Sequence, residues 1–208
     1  MARAPFIVFE GIDGSGTTTQ AEALKNWLED RSDRRVFLTR EPSDGPVGAL
    51  IKQALRKRIT FDPRVLALLF AADRIDHLDF EIQKRLDEGV TVLCDRYYLS
   101  SFAYQMVGTP EDLEWLEQLN ARAIPPDLTI LIDVPADVVM KRIETGRWQT
   151  ELFEKLEYQK AVRENYLTLA RGSRSEKERI VVVDGNRSQD EVFEDICSIV
   201  RDQFEDGA

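Results

Sequence analysis

Five short apolar runs, each separated from the next by helix-patterned sequence, limit the possible folds more than any other feature of this chain. The runs occupy residues 6–9, 36–38, 90–94, 128–132 and 180–183. Several are apolar at consecutive positions, so both faces of the strand need cover, as in the centre of a parallel sheet. Between the runs, apolar residues recur at helical spacing: Ala21, Leu24, Trp27 and Leu28, then Val47, Leu50, Ile51, Ala54 and Leu55, and finally Val192, Phe193, Ile196, Ile199 and Val200. Asp62-Pro63 supplies a cap residue and a first-turn proline for a long helix through Leu66, Phe70, Leu78 and Leu86, ending near Gly89. Strands alternating with helices predict an α/β fold with a parallel sheet. At 208 residues, one domain spanning 1–208 is expected, because single cores stop growing at ~250–300 residues.

Charge narrows the partners. Asp and Glu total 38 against 28 Lys and Arg, a formal net charge of −10. A nucleic-acid-binding surface is therefore not expected, although basic groups gathered locally can still hold a small phosphate compound. Cys94 and Cys197 read as reduced core residues, with no disulfide framework or metal spacing. No apolar run approaches the ~20 residues of a membrane span. The start is too short for a signal peptide before the first strand, so a cytoplasmic protein is expected. The polar run 171–179 reads as a solvated connector.

The first apolar run leads into Gly11-Ile12-Asp13-Gly14-Ser15-Gly16-Thr17-Thr18-Thr19-Gln20. Gly11, Gly16 and Thr18 fit the phosphate-loop pattern G-x-x-x-x-G-K-[ST], with a strand before it and a helix after it. In such a loop glycines let backbone N–H groups face a phosphate, and the helix N-terminus adds positive potential. Thr18 is placed to bring its hydroxyl to a magnesium ion. Thr17 stands where the pattern has lysine. Losing one charge-assisted hydrogen bond costs ~1.5–3 kcal/mol, which leaves room for catalysis with another cation in that role.

Further along lie Thr39-Arg40-Glu41-Pro42, Phe70-Ala71-Ala72-Asp73-Arg74, Asp95-Arg96-Tyr97-Tyr98-Leu99-Ser100-Ser101-Phe102-Ala103-Tyr104-Gln105, Pro126-Asp127-Leu128-Thr129, Leu131-Ile132-Asp133-Val134 and Val183-Asp184-Gly185. Together with residues 9–16, these motifs resemble the thymidylate kinases in order and spacing over nearly the whole chain. The resemblance implies a P-loop NTPase fold, with a five-stranded parallel sheet flanked by helices and a mobile lid at about 144–153. It implies transfer of the γ-phosphoryl group of ATP to dTMP with Mg²⁺, and a homodimer packed through helices of the main domain.

Residue by residue, the resemblance makes Gly11, Ile12, Asp13, Gly14, Ser15, Gly16, Thr17, Thr18 and Thr19 the ATP-binding loop; Arg142, a cation just before the lid, is expected on its own account to support the nucleotide. Thr18 and Asp95 are the metal residues, although an Asp at a strand end also serves as a helix cap. Arg96 holds the dTMP phosphate and neutralises developing charge. Arg40 is a second phosphate clamp, and Asp13 reaches the sugar and phosphate region of the acceptor. Phe70 and Arg74, at i and i+4, share a helix face that stacks on thymine and bonds its carbonyl. Ser101, Tyr104 and Gln105 line base and sugar, with Tyr104 crowding the 2′ position. The lone His77 lacks a Cys or His partner and reads as structural.

Gly14 occupies the place where one class of the family carries a P-loop arginine, and Glu151-Leu152 stands where the other class has Asp-Arg in the lid. Arg147 is then the remaining lid cation and the expected catalytic replacement, with Trp148 anchoring the lid. Two alternatives stand beside this reading: a non-catalytic nucleotide-binding homologue, and a kinase for another deoxynucleotide.

Overall fold

The computed structural model describes residues 4–31, 34–108, 113–145, 156–172 and 178–204. Five strands form one sheet: β1 (Phe6–Glu10), β2 (Val36–Arg40), β3 (Thr91–Asp95), β4 (Leu128–Asp133) and β5 (Ile180–Asp184). Their order is β2-β3-β1-β4-β5, and every pairing is parallel. The register sets Arg40 beside Asp95 and Asp133 beside Asp184, so the carboxyl ends of all five strands open at one edge. Ligands of open α/β sheets bind at that edge.

The helices described are α1 (Thr17–Arg31), α2 (Pro46–Leu55), α3 (Pro63–His77), α4 (Gln83–Asp87), α5 (Tyr98–Gly108), α6 (Leu113–Leu119), α7 (Ala136–Thr145), α8 (Leu156–Arg171) and α9 (Gln189–Phe204). They cover both faces of the sheet, which is why all five residues of β1 and of β3 are buried. The main core joins Phe6, Phe9, Leu24, Leu93, Phe102, Ile130 and Tyr166. A second cluster of Ile51, Ala54, Leu55 and Leu66 binds α2 to α3, with Phe70 packed against it.

The long helix starts as the sequence predicts: the Asp62 carboxylate accepts the Arg64 backbone N–H at 2.9 Å. Its later course differs from the single regular helix expected. After α3 comes one wide π-helical turn, Leu78–Ile82, and then α4. His77, just before the turn, faces the end of β2, and Leu78, Ile82 and Leu86 are all buried in the core.

Candidate active site

At the carboxyl edge lies a cavity of about 900 Å³. The loop after β1 forms its floor. Gly14 and Gly16 have φ of +79° and +100°, a region that side-chain-bearing residues rarely enter. Ser15 N–H closes the turn on Ile12 O at 3.0 Å. Helix α1 begins at Thr17, so its unsatisfied N–H groups face the cavity. Residues 13–20 line the cavity, whereas Gly11 and Ile12 are buried and do not. Thr17 is buried in the wall.

Thr18 Oγ1 donates to Asp95 Oδ2. The other oxygen, Asp95 Oδ1, is buried with no partner among the described residues. A hydroxyl and an unpaired carboxylate oxygen beside a phosphate loop form an all-oxygen donor set that suits a hard cation such as Mg²⁺.

Arg96 follows Asp95 with φ of +72°, a strained setting for an arginine. Two neighbours fix it. Its own N–H bonds Phe9 O at 2.8 Å. Beyond it, the Glu10 carboxylate accepts the N–H groups of Tyr97 (2.9 Å) and Ser100 (3.2 Å), Ser100 Oγ (2.6 Å) and Tyr166 OH (2.9 Å). The start of α5 is thus capped from β1 rather than by Asp95, which is left to Thr18. Burial pushes Glu10 up to about 7, against the opposing pull of Ser100, Arg96 and Tyr166. Held in this way, the Arg96 guanidinium reaches Asp13 Oδ1 at 2.6 Å and Tyr104 OH at 3.2 Å. It also lies over the Tyr104 ring, 5.2 Å from the centroid. Asp13 Oδ2 accepts from Gln159 Nε2 at 3.2 Å.

On the β2 side, Arg40, Phe70, Arg74, Ser101, Tyr104 and Gln105 all line the same cavity. Arg40 is exposed at the end of its strand, while Arg74 is fully buried against Glu41, Asn120 and Ser101. His77 belongs to the same polar layer: Nε2 lies 2.8 Å from Thr39 Oγ1, and Nδ1 lies 3.4 Å from Glu41 Oε1. No group of three His, Cys, Asp or Glu side chains among the described residues is arranged to hold a metal, and Cys94 and Cys197 are free and buried. On the opposite side Arg142 Nη2 donates to Gly185 O at 3.1 Å, and Arg187, Ser188 and Gln189 complete the wall. Arg147 and Trp148, with most of the expected lid, lie outside the described residues, as does the centre of the 171–179 connector.

A sequence model described as thymidylate kinase matches residues 9–196. The chain belongs to the thymidylate kinase family. It is 41% identical over 207 residues to a protein of Pyrococcus horikoshii named probable thymidylate kinase, an alignment covering 97% of this chain and 98% of that one. A protein of the same name from Pyrobaculum calidifontis is 43% identical over 196 residues, with 94% and 95% covered. Among the described residues, no helix is long and apolar enough to cross a membrane.

Set on this thymidylate kinase frame, the cavity contains or borders residues that the sequence did not single out. Glu10, Glu41, Asn120 and Gln159 are buried polar side chains that hold Arg96, Arg74 and Asp13. One signal was available for Glu10, a charged residue directly after four apolar strand positions, where an unpaired charge is costly; Glu41 follows Thr39 and Arg40 and carries no such mark. Asn120, in the turn just after α6, and Gln159, on α8, carry no such mark, because each follows helical sequence of mixed polarity.

Proposed function

We propose that this chain transfers the γ-phosphoryl group of ATP to dTMP in the presence of Mg²⁺, giving ADP and dTDP. The observation that carries the reading is the bonding of Arg96 both to Asp13 of the phosphate loop and to Tyr104, all three lining the same cavity. An oxygen of the dTMP phosphate attacks the γ-phosphorus, the bond to the β–γ bridging oxygen breaks, and ADP leaves with that oxygen. Such transfer depends on positioning and charge stabilisation more than on proton movement.

The loop N–H groups, with Thr17 and Thr19 beside them, receive the ATP phosphates, and Arg142 borders the adenine side. Thr18 and Asp95 hold Mg²⁺, which supplies charge neutralisation on the phosphate oxygens. Arg96 and Arg40 grip the acceptor phosphate, and Asp13 orients both Arg96 and the sugar. Phe70 offers its ring to the base, Arg74 a donor to the base carbonyl, and Ser101 and Gln105 their polar atoms to the base edge. Tyr104 fills the space that a 2′-hydroxyl would need. With Thr17 in the lysine position, Arg147 of the segment 144–153 closes over ATP as the replacement cation.

A coupled ADP-release assay with ATP, Mg²⁺ and dTMP tests the reading on wild type, Arg96→Ala and Arg147→Ala. Turnover with dTMP is expected, with a loss of ~100-fold or more in Arg96→Ala and ~10- to 100-fold in Arg147→Ala. Absence of turnover with dTMP, or turnover undiminished in Arg96→Ala, refutes it. Undiminished turnover in Arg147→Ala refutes only the role given to the lid.

The same reading includes a homodimer. It is supported by the exposed apolar side chains Val65, Leu68 and Ile75 along α3, and Phe80 on the π turn, which gather on one surface of this helical run.

A further inference from the structure

The Arg74 guanidinium carries five N–H donors. Nε–H and one Nη2–H go to Glu41 Oε2, at 2.9 and 2.6 Å. The second Nη2–H reaches Ser101 Oγ at 3.1 Å. One Nη1–H goes to Asn120 Oδ1. A single Nη1–H is left uncommitted on a side chain that is 2% exposed and lines the cavity.

Asn120 is itself fixed. Its Nδ2 donates to Leu116 O at 2.8 Å, which decides the end of the amide that faces Arg74. A flipped amide would set N–H against N–H and carbonyl against carbonyl. Glu41 is bounded on its other oxygen by His77, and His77 by Thr39. The guanidinium is therefore held on three sides and also lies 5.2 Å from the Tyr97 ring.

We infer that Asn120 is a specificity-determining positioning residue: with Glu41 and Ser101 it locks Arg74, so that one fixed donor meets the base. The inference rests on the proposed reading of this cavity as the place of the dTMP base. A pyrimidine with a carbonyl at position 4 accepts from that donor. A pyrimidine with an amino group there, as in dCMP, sets donor against donor. A mobile arginine would turn away from the amino group at little cost, whereas a locked one cannot, so selectivity arises from the lock and not from the donor alone.

Titration calorimetry of dTMP and dCMP on the whole protein tests this for wild type, Asn120→Leu and Asn120→Asp. Asn120→Leu keeps the volume and removes the acceptor, and Asn120→Asp keeps an acceptor toward Arg74. The expected result is a preference for dTMP that shrinks by ~10- to 100-fold in Asn120→Leu, the scale of one hydrogen bond to a charged group. Most of that preference is retained in Asn120→Asp. An unchanged preference in Asn120→Leu, or equal weakening of both nucleotides, overturns the inference while leaving the proposed function in place. Wild type that binds neither nucleotide refutes the reading of the cavity, and the inference with it.

Should Asn120→Leu fail to fold, ¹⁵N spectra of the arginine side chains in wild type decide the matter. The Arg74 signals are assigned by their loss in Arg74→Lys. Separate Nη1 and Nη2 signals are expected from a guanidinium that does not rotate about Nε–Cζ. A single averaged signal overturns the lock.

Discussion

Glu10 ends a strand whose other four residues are all buried, and its carboxylate is buried with them. The cost of ionising it there is what pushes it up to about 7. An unfolded chain returns it to the ordinary value of 4.5. Between these values the folded state binds more protons than the unfolded one, so stability declines with rising pH. The contribution is complete below pH 4.5 and is lost as pH passes 7, a change of the order of 3 kcal/mol. Denaturant titrations at pH 5 and pH 8 check this: Glu10→Gln should lose less stability than wild type across that interval. Parallel behaviour of the two proteins refutes it. The same residue shows what was legible at this scale. Asp13, Asp95 and Arg96 stand out through the family resemblance, with Asp13 inside the glycine loop and the other two at the end of β3. The capping duty of Glu10 was hidden because its partners, Tyr97 and Ser100, are 87 and 90 residues away along the chain.

The loop after β2 illustrates how one element shapes another. Ser43 is tied to Asp73 of α3 through its N–H (2.7 Å) and its hydroxyl (2.6 Å), and α2 then packs back over it at Gly48. A Cβ at Gly48 would lie 2.1 Å from Ser43 O and 2.7 Å from Ser43 C. These are backbone atoms that no rotamer change can move. Gly48→Ala is therefore expected to destabilise the protein by ~1–3 kcal/mol through overpacking. It should also raise KM for the acceptor more than for ATP, since the displaced loop carries Arg40 and Glu41. Thermal melts and steady-state kinetics check both parts; a fully stable variant with unaltered KM values refutes them. The elements themselves were largely readable. The Asp62 cap fixed one helix start, and consecutive apolar positions marked every strand. The π turn was not readable, because apolar spacing through Leu78, Ile82 and Leu86 is compatible with an unbroken helix.

Across the whole molecule, strand order was the part that the sequence left open beyond the family resemblance. Parallel strands and right-handed crossovers permit several arrangements, and the choice of β2-β3-β1-β4-β5 rests on long-range packing. That order leaves the apolar side chains of α3 facing outward. Sedimentation velocity tests the dimer assigned to them: wild type should sediment at twice the chain mass and Leu68→Asp at the chain mass. Wild type at the mass of a single chain refutes the assignment. The order has one more consequence. The two rims of the sheet are β2 and β5, and each lacks one hydrogen-bonding neighbour. Arg40 is carried by the first rim, and Gly185, the partner of Arg142, follows the second. In the proposed reading each nucleotide touches residues carried by a different rim, so the two substrates meet over the central strand β1, from whose end the phosphate loop rises.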